Sequence, residues 1–150
     1  MSNPIDALEF EAMLFGRYSL ISRRGDGRLD RSAYVLLHRL HGGGPMSIGQ
    51  LSEALGLDVS TLNRQTTAML KAGLLERIPD PDGGIARKFR VTAEGLEKME
   101  FERASSIQHL EVILEDWAAA DVAALADYLT RFNAAIEDYQ GRPWPRPERS

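Results

Sequence analysis

Between Asp58 and Glu76 the chain carries no acid, and that stretch holds the side chains best suited to meeting a polyanion. Set on a helix at about 100° per residue, residues 58–73 sort into two faces. Val59, Leu62, Thr66, Met69, Leu70 and Gly73 fall on one side. Ser60, Thr61, Arg64, Thr67 and Lys71 fall on the other, with Asn63 and Gln65 on the flanks. Short hydroxyls allow close approach to a groove, and an Arg can grip guanine or phosphate. A merely solvated face ordinarily mixes in Glu or Asp, and this one has none past its cap. Arg87, Lys88 and Arg90 follow within four residues and could hold a phosphate backbone or enter a minor groove. Asp80 and Asp82 stand beside them, so a plainly soluble strand competes with that reading.

Other constellations carry less. His38 and His41 sit three apart and could share a metal, but no carboxylate joins them. Two imidazoles in the last turn of a helix are also favourable to its dipole. No metal site and no cofactor are therefore expected. Glu111, Glu115, Asp116 and Asp121 could be an acid/base cluster. Nothing near them supplies a nucleophile, and a solvated helical surface explains them. Gly42-Gly43-Gly44 follows a helix rather than a strand, which is the wrong context for a phosphate loop. No catalytic residue is expected.

The elements that must position the acid-free face are legible from caps and periodicity. A first helix over residues 5–22 carries Leu8, Phe10, Met13, Leu14, Phe15, Tyr18 and Ile21, a broad apolar surface that predicts packing against a partner. Gly25-Asp26-Gly27 breaks it. Asp30 caps a second helix, about 31–41, which Gly42 to Pro45 end. Ser47-Ile48-Gly49-Gln50 has the spacing of a capping box for a short third helix to Leu55. Gly56 turns the chain, and Asp58 caps a fourth helix that Gly73 stops.

Residues 74–79 and 85–91 read as strands around Asp80-Pro81-Asp82-Gly83-Gly84. Ile85, Phe89 and Val91 alternate with Ala86, Lys88 and Arg90. Thr92 opens a helix of about 93–115, and another follows at about 119–139 with Val122, Leu125, Leu129, Phe132 and Ile136 at helical spacing. Of the two Trp, Trp117 is expected to pack at the start of that last helix. Residues 141–150 carry three Pro and read as a disordered tail. The expectation is one mainly α domain over 1–140 with a β-hairpin wing. A winged helix-turn-helix at about 30–92 sits between dimerisation helices at 5–22 and 93–139.

Composition sets limits. The chain has 150 residues, 43% of them apolar, and no Cys. That excludes disulfides and thiolate metal sites. No run approaches ~18 apolar residues and no signal peptide is visible, so a cytoplasmic protein, nucleoid-associated when on DNA, is expected. The net charge is −4, but residues 93–150 hold 12 of the 22 acids and only 6 of the 18 bases. The remainder is mildly basic, which is compatible with DNA contact at one end of the molecule.

These residues resemble the MarR family of bacterial regulators. Leu51-Ser-Glu-Ala-Leu-Gly-Leu-Asp-Val-Ser-Thr-Leu-Asn-Arg-Gln-Thr is similar to its helix-turn-helix, and Leu70-Lys-Ala-Gly-Leu-Leu-Glu-Arg to its exit from the recognition helix. Asp80-Pro81-Asp82 resembles the start of its wing, and Val91-Thr92-Ala93-Glu94-Gly95 its strand-to-helix junction. The resemblance implies a homodimer with intertwined first and last helices, bound to a palindromic operator and released by a small, often phenolic, effector. Where the family usually has an Arg near the wing tip, this chain has Gly83-Gly84-Ile85, with Arg87 two residues further on.

Two functions follow. The first is a ligand-responsive DNA-binding transcription regulator, a repressor, with Ser60, Thr61, Asn63, Arg64, Thr67, Lys71, Arg87, Lys88 and Arg90 on DNA. Phe15, Tyr18, Tyr34 and His38, from the first and second helices, would line its effector pocket together with the fifth helix. The alternative is a winged-helix protein-interaction module with weak or no DNA binding, which the acidic balance and the glycine wing tip motivate. No constellation supports an enzyme.

Overall fold

The computed structural model describes residues 3–18 and 29–147. Its order is α1 (Pro4–Arg17), α2 (Arg31–Gly43), α3 (Ile48–Leu55), α4 (Val59–Lys71), β1 (Leu75–Ile78), β2 (Lys88–Val91), α5 (Ala93–Ile113) and α6 (Ala119–Gln140). α2 is the hub. The Asp30 carboxylate accepts the Ala33 amide at 2.8 Å and starts the helix. Its inward face then buries Tyr34, Leu36, Leu37 and Leu40. Around that face pack Leu51 of α3, Leu62 and Met69 of α4, Leu75 and Phe89 of the hairpin, and Met99 of α5. Apolar burial at these helically spaced positions is the main force holding the unit together.

α3 opens with the expected capping box. Ser47 Oγ accepts the Gln50 amide at 3.2 Å, and Gln50 Oε1 accepts the Ser47 amide at 2.9 Å. Asp58 holds the expected N-cap position of α4, but its side chain makes no capping bond. Thr92 ties hairpin to helix. Its hydroxyl donates to the Gly73 carbonyl at 2.6 Å and accepts the Gly95 amide at 3.0 Å.

The hairpin is shorter than residues 74–79 and 85–91. Pairing is antiparallel from Leu75↔Val91 to Ile78↔Lys88 and stops there. Beyond it Pro79 leads into a turn, where the Gly83 amide donates to the Asp80 carbonyl at 3.0 Å and takes the chain out of the ladder. Ile85 therefore lies outside the strand and is fully exposed at the tip, not on the strand's apolar face. A third short contact joins the sheet, where Met46 and Phe89 exchange backbone bonds of 2.8 and 3.3 Å.

Three boundaries shift. α1 ends at Arg17 with Tyr18 extended, short of the expected 22. Ile21 and the Gly25-Asp26-Gly27 break lie outside the described residues. α2 runs through Gly42 and Gly43, with Gly44 at its cap. Residues 141–147, expected to belong to a disordered tail, fold back: Arg142 Nε donates to the Glu53 carbonyl at 3.1 Å, and the Trp144 amide donates to Glu137 Oε1 at 2.7 Å. Neither α1 nor α6 buries a residue in the single chain. Trp117, before α6, is about half exposed rather than packed.

Candidate nucleic-acid interface

The interface is built from the turn upward. α3 ends at Gly56, whose φ of 65° lies in the left-handed region that favours glycine. Ser52 Oγ donates to the Leu57 carbonyl at 2.7 Å and closes the turn from inside. The chain then enters α4, where Leu62, Thr66 and Met69 are buried. Thr66 is satisfied within its own helix, its hydroxyl donating to the Leu62 carbonyl at 2.8 Å. Burying that face turns the opposite one outward. Ser60, Asn63, Arg64, Thr67 and Lys71 are exposed, and Thr61 and Gln65 are half-buried at its edge. Val59, assigned to the apolar side by the helical wheel, is exposed because the first turn extends past the core.

Electrostatics separate the cations. Arg64, Lys71 and Arg87 pair with no acid among the described residues. Lys88 Nζ lies 3.3 Å from Asp80 Oδ1. The Asp82 amide holds the Asp80 carboxyl below its usual range, and Lys88 adds to that. Arg90 Nε donates to Glu76 Oε1 at 2.7 Å across the hairpin. Of the three wing cations, only Arg87 is uncommitted. Arg77, which the sequence reading passed over, lies with its guanidinium 5.7 Å from the Phe89 ring and shields the base of the wing.

The expected effector residues divide. Tyr34 and His38 meet edge to face with ring centroids 4.5 Å apart. Burial raises the Tyr34 hydroxyl pKa. Burial also lowers the His38 pKa, with the nearby Arg103 cation adding to it. His38 lines a cavity of about 430 Å³ together with His41, Met99, Arg103 and Trp144. Phe15 and Tyr18 are more than half exposed, and neither they nor the buried Tyr34 line it, so His38 alone of the four expected residues does. His38 and His41 gain no third ligand, since no group of three His, Cys, Asp or Glu able to hold a metal occurs among the described residues.

Missed by sequence reasoning were Arg142 and Trp144, which lay in the presumed tail, and Glu102. Glu102 is 1% exposed on a charged helix, and its Oε1 accepts the Leu29 amide at 3.2 Å. No periodicity marks it, because its partner is 73 residues away.

A helix-turn-helix with an acid-free outer face, followed by a hairpin wing, defines a winged helix-turn-helix protein. The comparisons narrow this class. The MarR family model matches residues 29–83. The chain is 31% identical over 139 residues to the uncharacterised HTH-type transcriptional regulator YxaD of Bacillus subtilis, covering 91% of this chain and 97% of that one. The chain belongs to the MarR family. Its fold is similar to a MarR family protein from Bacillus stearothermophilus, with a TM-score of 0.72 at 20% identity over 91% of this chain and 99% of that one. It is also similar to the PcaV transcriptional regulator of Streptomyces coelicolor, solved with its natural ligand, with a TM-score of 0.60 at 24% identity over 85% and 90% of the two chains. No described helix is long and apolar enough to cross a membrane.

Proposed function

We propose that this protein is a transcription regulator that binds a palindromic operator as a homodimer, represses from it, and is released by a small effector. The observation that carries the reading is the α4 face, where Arg64 and Lys71 stand exposed and uncommitted among short polar side chains. Docked in a major groove, Arg64 reads a base edge or holds a phosphate, and Ser60, Thr61, Asn63, Thr67 and Lys71 fix the register. Arg87 supplies the wing's phosphate contact. Lys88 and Arg90, neutralised by Asp80 and Glu76, add little.

The two recognition helices of a dimer would enter successive grooves about one helical turn apart. An effector bound beside Tyr34 and His38 acts only if it prefers one spacing of those helices over the other. PcaV, solved with a natural ligand, supports an effector here.

The test is binding to fragments of the protein's own genome, followed by titration of salt. Affinity is expected to fall steeply as phosphate contacts release counterions. The neutralised wing favours a second reading, a protein-interaction module with the same fold. A flat salt response, or no bound fragment, would end the first reading and favour the second.

A further inference from the structure

The polyglycine end of α2 and the proline-rich end of the chain have no role in the reading above, and the structure brings them together. After α6, Gly141 reverses the chain and the Arg142 amide bonds the Glu137 carbonyl at 3.0 Å. The Glu137 carboxylate then holds the segment twice, accepting the Trp144 amide at 2.7 Å and the Arg146 guanidinium. Further on, the Trp144 ring lies 5.8 Å from the Arg39 guanidinium. Pro145 rests beside Gly42 and Gly43, where the missing side chains leave room. Residues 141–147 thus form a strap with anchors at α6 and α2.

Between those anchors the strap reaches the helix-turn-helix through Arg142. Arg142 Nε donates to the Glu53 carbonyl at 3.1 Å. That carbonyl is among the last four of α3, which have no partner within the helix, and a cation is favoured at that end. The same guanidinium covers Gly56, where a Cβ would stand 2.9 Å from Arg142 Cζ. Gly56 is the turn that sets the angle at which α4 leaves α3. We infer that Arg142 is a positioning residue: it clamps the turn of the helix-turn-helix to the end of α6 and so fixes the aim of the recognition helix. The inference rests on the DNA-binding reading for its consequence, but not for its geometry. Arg142 acts through the turn and does not itself touch DNA.

The test uses the full chain with Arg142→Ala and Arg142→Lys. Arg142→Ala is expected to weaken operator binding about tenfold, the scale set by one hydrogen bond to a charged group. The slope of log affinity against log salt should stay that of the wild type, because no phosphate contact is lost. Amide exchange at Gly56, whose N–H donates to the Ser52 carbonyl at 2.9 Å, should speed up when measured without DNA, while oligomeric state holds and the melting temperature falls by no more than about 5 °C. Arg142→Lys, which keeps a donor for Glu53, should recover part of both effects.

A salt slope shallower by about one per protomer would make Arg142 a phosphate contact and overturn the inference. Unchanged exchange at the turn would overturn it as well, whatever the affinity does. If the wild type binds no fragment at all, the DNA reading fails alone, and faster exchange in Arg142→Ala still supports the clamp.

Discussion

Arg64 and Arg87 are both exposed and uncommitted, yet they differ in setting. Arg64 sits at the centre of a face that the buried Leu62, Thr66 and Met69 hold in one orientation. Arg87 lies outside the paired strand, next to a glycine tip. Arg64→Ala is expected to abolish specific operator binding, and Arg87→Ala to weaken it less. A gel shift with equal, small losses for both would refute that ranking. Lys88→Ala and Arg90→Ala should each cost under about threefold, since the half-buried Lys88 is held by Asp80 and the exposed Arg90 by Glu76, which leaves neither free for a phosphate.

His38 gives a pH prediction. Burial lowers its pKa, so the folded state takes up its proton later than the unfolded state does. Between the ordinary imidazole value near ~6.5 and the lowered folded value, the unfolded chain holds more protons, and stability falls as pH drops through that window. Thermal melts from about pH 7 to about pH 5 should therefore decline more steeply for the wild type than for His38→Gln.

Among the elements, the junction of β2 and α5 tests how tightly the wing is seated. Gly95 is a helical residue, so alanine there would gain about 1 kcal/mol on propensity alone. A Cβ at Gly95, however, would run into the Leu74 backbone carbonyl, which cannot swing aside as a side chain can. Overpacking of this kind costs about 1–3 kcal/mol. Gly95→Ala is expected to lower the urea midpoint, and a raised midpoint would show that α5 can slide off β1 at no cost. The wing's length has an equally local cause. The turn at Asp80 ends the ladder: its carboxylate accepts the Asp82 amide at 2.9 Å and its carbonyl accepts the Gly83 amide at 3.0 Å.

For the whole molecule, the single chain leaves apolar surface uncovered. Phe10, Met13 and Phe15 of α1 are each more than half exposed. The α5/α6 angle opens a groove of about 450 Å³ lined by Ile107, Leu110, Leu114, Val122, Leu125 and Leu129. Exposed apolar surface of this kind suits the interface of the proposed homodimer. Leu125→Glu is expected to yield a monomer by sedimentation and to reduce operator affinity by at least about tenfold, because a monomer engages only one half-site. A Leu125→Glu dimer with normal DNA binding would place the interface elsewhere.

What the sequence determined by itself is local. Caps such as Asp30, Ser47 and Thr92 act within a turn of their own position. The periodicity of α2 and α4 dictates which face is buried whatever it is buried against. That is why the helix-turn-helix and the outer face of α4 were legible. Tertiary structure decided what depends on partners distant in sequence. It neutralised Arg90 with Glu76, 14 residues away, and left Arg64 uncommitted. It buried Glu102 against Leu29 and turned a proline-rich end into a strap whose Arg142 reaches Glu53, 89 residues back. Such pairings are set by where the packed core places two surfaces, and no short window of sequence contains both.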